Sequence, residues 1–219
     1  MISRDNLEDL YTLAPMQEGM LFAWLLDPDS EAYREQIAYR LRGHLDITRF
    51  EATWNKLAKR HDILRTVFVP DKTARPLQMV LKKVAVRFDV EDLRALAPDA
   101  KAARLAAYRQ SVRALGFDLT GELPWRVAVV LLSDDSMEVV WTFHHILLDG
   151  WSAGLLMAEL LRCYGAAGDE PRDSAIPYSH YIKWLEARDR DLDRRFWREQ
   201  LQGFVGPSSI PSSRPGWIS

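Results

Sequence analysis

The run Phe143-His144-His145-Ile146-Leu147-Leu148-Asp149-Gly150-Trp151-Ser152 brings together the residue types best suited to chemistry in this chain. Two histidines end an apolar stretch, three apolar residues come next, and an Asp-Gly pair opens into a helical pattern. A titratable imidazole therefore sits where a buried strand meets a helix N-terminus, a common place for chemistry. Successive strand side chains point to opposite faces, so His144 and His145 cannot both reach one site. That argues against a shared metal, and no other His, Cys or carboxylate cluster has ligand spacing, so no metal is expected. Two satisfied histidines at a strand end would also fit the pair taken alone.

Arg65 is a second clue. In a strand expected over Ile63 to Val69 it shares a face with Val67 and Val69, which reads as inward. A buried guanidinium needs a carboxylate, because an unpaired buried charge costs several kcal/mol. Asp149 is the best candidate; a solvent-facing Arg65 is the alternative. Gly150 lets the backbone turn closely at the helix start, and its N–H can point toward a reacting carbonyl or simply belong to a turn. Trp151 and Ser152 either line a channel or cap the helix, and Ser152 is read as the cap.

The elements that must position these residues are set by periodicity. A first helix is expected near Pro15 to Leu26, with Met16, Gly19, Met20 and Ala23 on one face. Tyr33 to Leu41 alternates as a strand, with Tyr33, Glu35, Ile37, Tyr39 and Leu41 on one side. Asp46 can cap a helix carrying Phe50, Trp54, Leu57 and His61. The strand over Ile63 to Val69 is expected to end in the turn Pro70-Asp71-Lys72. Leu77 to Leu81 and Val84 to Val90 are further strand candidates. Asp99 can cap a long helix with Leu105, Tyr108, Val112 and Leu115, stopped by Gly116. Trp125 to Leu132 and Met137 to Phe143 form the clearest hairpin. The helix after Gly150 is expected to carry Leu155, Leu156, Leu160 and Cys163 inward and to end at Gly165. Tyr178 to Gln202 reads as one or two polar helices, and the Pro-, Ser- and Gly-rich tail from Gly206 as irregular. The fold class is α/β, an α+β sandwich of one mixed sheet flanked by helices.

Composition narrows the partners. The chain of 219 residues is long enough to bury a real core, and its formal net charge of −2 gives no reason to expect nucleic acid or a membrane as partner. One cysteine excludes an internal disulfide, and Cys163 reads as a small core residue. The charged start (Arg4, Asp5, Glu8, Asp9) does not read as a signal peptide, and runs such as Met20 to Leu26 are too short to span a bilayer. A cytoplasmic location is expected.

The His144-to-Gly150 run resembles the HHxxxDG motif of the condensation domains of nonribosomal peptide synthetases. Leu13-Ala14-Pro15-Met16-Gln17-Glu18-Gly19-Met20-Leu21-Phe22 resembles that family's first helix. Arg60-His61-Asp62-Ile63-Leu64-Arg65-Thr66-Val67-Phe68 resembles its RHxxLRTxF segment. Tyr181-Ile182-Lys183-Trp184 and Phe196-Trp197 resemble the family's segments beyond the active-site helix. The resemblance implies a chloramphenicol-acetyltransferase-like lobe over residues 1–175, a helical connection over 176–205 toward a second, C-terminal lobe not found in this sequence, and an irregular tail over 206–219. It implies that His145 faces the reaction channel, that His144 supports the fold, and that Asp149 pairs with Arg65 to pin the loop. Trp151 and Met20 are the candidate channel residues.

The reaction so implied is amide formation from a thioester, between amino acids tethered to carrier proteins by phosphopantetheine arms. Those arms are substrates, and no cofactor is expected on this chain. The expected partners are peptidyl and aminoacyl carrier proteins, the second lobe or neighbouring synthetase domains, and self-association through an uncovered inter-lobe face. Arg188, Arg190, Arg194, Arg195 and Arg198 could meet an acidic carrier protein, but interspersed Asp189, Asp191, Asp193 and Glu199 favour a solvated helix face. One alternative is a free-standing acyltransferase of the chloramphenicol acetyltransferase type, using coenzyme A. Another is an idle module that only docks carrier proteins. An epimerisation domain shares the His motif.

Overall fold

In the computed structural model, which describes residues 4–70, 75–165 and 175–206, β1 (Leu7–Thr12) leads into α1 (Pro15–Leu26). Proline at the first turn suits the helix start, since its missing N–H would have no partner there. The buried face of α1 is Gln17, Met20 and Leu21, whereas Met16 is 72 % exposed, so the expected face is rotated. Tyr33 lies outside the next strand, β2 (Arg34–Arg42), in which Ile37, Tyr39 and Leu41 keep the alternation. The Asp46 carboxylate accepts the Arg49 N–H at 3.0 Å and caps α2 (Ile47–Arg60), as expected. Phe50, Trp54 and Leu57 of α2 are buried.

The segment expected as a strand over Ile63 to Val69 begins instead with a 3-10 turn over Asp62–Arg65, and only Thr66–Val69 is β3. Arg65 is therefore buried by a turn rather than by strand alternation. Of the turn Pro70-Asp71-Lys72, Asp71 and Lys72 lie outside the described residues, as does the tail beyond Gly206. β4 (Leu77–Leu81) matches expectation, while β5 (Phe88–Asp92) starts later than Val84. α3 (Pro98–Ala114) begins with proline after Ala97, which places Asp99 inside the first turn rather than at the cap. Gly116 comes after α3 with φ 61°, a left-handed stop open to glycine at little cost. The hairpin is β6 (Trp125–Ser133) and β7 (Ser136–His144).

Two sheets form where one was expected. β1-β4-β3 is antiparallel throughout. β2-β7-β6-β5 is mixed, because β5 runs parallel to β6. Central strands β6 and β7 are buried on nearly every residue, which explains their near-continuous apolar sequence. Trp54 of α2 packs 5.6 Å from Trp125 and 5.3 Å from Trp141, ring centre to ring centre, and joins helix to sheet. α4 (Gly150–Gly165) buries Ala153, Leu156 and Leu160 against this core. Leu155, expected inward, is 61 % exposed, because one residue along a helix turns the side chain well off the core face. Cys163 is half-buried.

The chain divides into two compact units, residues 1–183 and 184–219. α5 (Tyr178–Glu186) crosses from the first into the second, and α6 (Arg190–Gln200) belongs to the second. Two arginines of that stretch pair with their own neighbours, Arg188 with Asp193 at 2.8 Å and Arg194 with Asp191 at 3.2 Å. α6 buries no residue. No helix among the described residues is long and apolar enough to cross a membrane.

Candidate active site

The site is built on the end of β7. His144 is its last residue, opposite Arg34 of β2, and its N–H donates to the Pro124 carbonyl at 2.8 Å. The imidazole is 3 % exposed, and its Nδ1 accepts the Ile146 N–H at 3.1 Å. An accepting Nδ1 carries no proton, so the neutral ring holds its proton on Nε2. Burial, with His145 and Arg34 adding to it, pushes its pKa down to about 4. His144 is thus a neutral, structural ring.

His145 begins the turn that leaves the strand. Its N–H donates to the Tyr33 carbonyl at 2.7 Å, extending the β2–β7 ladder by one bond. The ring is half-buried, and its Nδ1 is buried with no hydrogen-bond partner among the described residues. A buried polar atom left unpaired is costly. His144 closes the strand and His145 opens the turn, so the two neighbouring rings sit in different surroundings.

The Arg65–Asp149 pair is not formed. Arg65 instead holds Glu8 at 2.6 Å and Asp62 at 2.7 Å, and also donates to the Leu81 carbonyl. Pairing of β1 with β4 and of β4 with β3 brings Glu8, at an irregularity in the β1 register, over the 3-10 turn. Asp149 is exposed and serves as the cap of α4: its carboxylate accepts the Ser152 N–H at 2.7 Å and its carbonyl the Ala153 N–H at 2.9 Å. The hydrogen bonds from Ser152 hold its carboxyl below the usual range. The cap is therefore Asp149 and not Ser152. Gly150 needs no special backbone, since a Cβ there would meet nothing within 4 Å. It supplies one of the first-turn N–H groups of α4, which have no acceptor within the helix. Trp151 is 79 % exposed, while Met20 is 8 % exposed and packs in the core rather than lining a channel.

Sequence reasoning missed two supports. Gln17 of α1, 4 % exposed, donates from Nε2 to the Ile146 carbonyl at 3.1 Å, while its Oε1 accepts the Ala14 N–H and the Gln78 amide. Gln78 in turn donates to the Thr12 carbonyl at 2.8 Å. An amide in the middle of an apolar helix was the available signal. Tyr33 is the second, met by His145 at the chain turn before β2. Among the described residues no group of three or more His, Cys, Asp or Glu could hold a metal ion.

The family model for the condensation domain matches residues 7–216. The chain belongs to the condensation-domain family. This condensation lobe is 40 % identical over 215 residues to surfactin synthase subunit 3 of Bacillus subtilis (strain 168), covering 97 % of this chain and 17 % of that protein. It is 40 % identical over 208 residues to bacitracin synthase 3 of Bacillus licheniformis, covering 94 % of this chain and 3 % of that one. The starter condensation domain of rhizomide synthetase RzmA superposes with a TM-score of 0.78 at 21 % identity, over 91 % of this chain and 50 % of that one. The X-domain solved in complex with OxyB from teicoplanin biosynthesis gives 0.75 at 29 % identity, over 98 % and 47 %. The condensation lobe thus spans about half the length of such solved chains, and a small share of the synthases. Its fold is the mixed, acetyltransferase-like one expected, and the family match favours the condensation reading over a free-standing acetyltransferase.

Proposed function

We propose that this condensation lobe contributes the reacting imidazole, His145, to amide formation between thioesters carried on phosphopantetheine arms of carrier proteins. The observation that carries the reading is the contrast between the two rings: His144 has its Nδ1 occupied and its charge suppressed, whereas the buried Nδ1 of His145 has no partner among the described residues. The amine of one tethered aminoacyl group attacks the thioester carbonyl of the other, a C–N bond forms, and the C–S bond breaks. His145 orients the amine and accepts the proton it sheds, which then passes to the departing thiolate. The N–H of Gly150, at the open end of α4, faces the charge that gathers on the carbonyl oxygen, and exposed Trp151 borders the arm. Thioesters are already activated, so holding the two arms end to end supplies much of the rate. Carrier proteins and a second lobe are the partners in this reading, and exposed Phe22 and Leu26 of α1 are apolar surface suited to such a partner.

The test uses a domain in which this lobe is joined by a second one. His145→Ala should slow product formation between loaded carrier proteins by about a hundredfold to ten-thousandfold, with melting unchanged. Undiminished turnover in that variant, read by mass spectrometry of carrier-bound product, would overturn the assignment.

A further inference from the structure

Tyr33 is the one non-glycine residue with a positive φ among the described residues, at 63°. A bulky side chain rarely occupies this left-handed region, and it persists there only where the surroundings impose it. Glycine would take the same backbone at no steric cost, so the conformation alone does not explain a tyrosine. The contacts of Tyr33 do. Its carbonyl accepts the His145 N–H at 2.7 Å, and its ring lies 6.1 Å from the His144 imidazole, tilted by 41°. Ring and imidazole, with Arg34, Asp27 and Ser30, line a cavity of about 30 Å³, the size of a single water. One residue thus touches both histidines, one through backbone and the other through its ring.

We propose that Tyr33 is a positioning residue for His145, acting by pressing its ring on His144. This rests on the reading of His145 as the reacting imidazole. The chain of contacts is short. The ring lies beside His144, whose Nδ1 holds the Ile146 N–H at 3.1 Å, and Ile146 is the next residue after His145. The left-handed turn at Tyr33 sets the other side of the same loop, since Arg34 enters β2 opposite His144 one residue later. The loop is thereby gripped on both flanks of His145, whose buried Nδ1 has no partner among the described residues.

The test compares Tyr33→Gly and Tyr33→Asn, which suit the left-handed backbone without the ring, with Tyr33→Phe, which keeps the ring. In the 219-residue chain, relief of the backbone offsets the lost packing, so melting should shift by only a few degrees in the Gly and Asn variants. Hydrogen exchange at the Ile146 amide should nevertheless speed up about tenfold or more. In the two-lobed domain their kcat should fall about tenfold to a hundredfold with KM retained, and Tyr33→Phe should restore both readouts. Gly and Asn variants with kcat within about twofold of the parent, or a loss of melting temperature with kcat intact in the folded fraction, would overturn the proposal. His145→Ala runs alongside. If that variant stays active, the reading of the site fails. If it is inactive while Tyr33→Gly is fully active, only the positioning role fails.

Discussion

The Ile146 N–H and His144 Nδ1 close a hydrogen bond of 3.1 Å across the residue between them, so the structural histidine fastens the very turn that carries its neighbour. The Pro124, Tyr33 and His144 carbonyls, His144 Nδ1 and the Gln17 amide all hold this turn. Their roles separate in measurable ways.

The first prediction concerns acid. The pKa of His144 is lowered from 6.5 to about 4 in the fold, so below 6.5 the unfolded chain binds a proton that the folded chain refuses. Stability is fully present above pH 6.5, declines as pH falls toward about 4, and levels off for this group below that. The loss is about 3 kcal/mol at most. His144→Asn, whose side-chain oxygen can still accept the Ile146 N–H, should flatten that slope between pH 7 and 5. Urea titrations of both proteins across this range decide it, and an equal slope in the two would show that His144 does not titrate this way.

Arg65 gives a second prediction, with coupling to a different carboxylate from the one its motif suggests. Arg65→Ala strands the Asp62 carboxylate in a partly buried site and should cost about 3–5 kcal/mol. Asp149→Ala removes only a helix cap and should cost about 1 kcal/mol. The two losses should add within about 0.5 kcal/mol, whereas Arg65→Ala and Asp62→Ala should couple clearly. Double-mutant cycles by denaturant unfolding measure both, and coupling between Arg65 and Asp149 would restore the pair that the structure lacks.

The amide bridge gives the third. Gln17→Met keeps the shape but leaves the Ile146 carbonyl and the Gln78 amide without their partner, at a cost of about 1–3 kcal/mol. Replacing Gln17 and Gln78 together by methionine removes part of that unpaired polar surface and should cost less than the sum of the single losses. Equilibrium melts of the three variants are the measurement, and strict additivity would mean the two amides act independently.

Much of the architecture was legible because it is local. Asp46 caps α2 and Gly116 ends the run after α3, since caps and left-handed stops depend on a few neighbouring residues. The hairpin of β6 and β7 was legible from its apolar runs for the same reason. Leu155 went wrong because several apolar residues stand side by side in α4, and periodicity cannot then choose which of them faces the core.

By itself, then, the sequence determined most of the elements and the family, the elements being set largely within a few residues along the chain. Tertiary structure decided the long-range partners. Arg65 needed a carboxylate, but only the order β1-β4-β3 could place Glu8, rather than Asp149, within reach. Gln17 reaches Ile146, and Gln78 reaches Gln17, across separations of 129 and 61 residues, which no local period encodes. Tyr33 looked like the first residue of a strand, but its backbone is left-handed and its carbonyl accepts the His145 N–H from 112 residues along the chain. A period tells a side chain which way to face, while its partner is whatever the packed sheets and helices bring to that face.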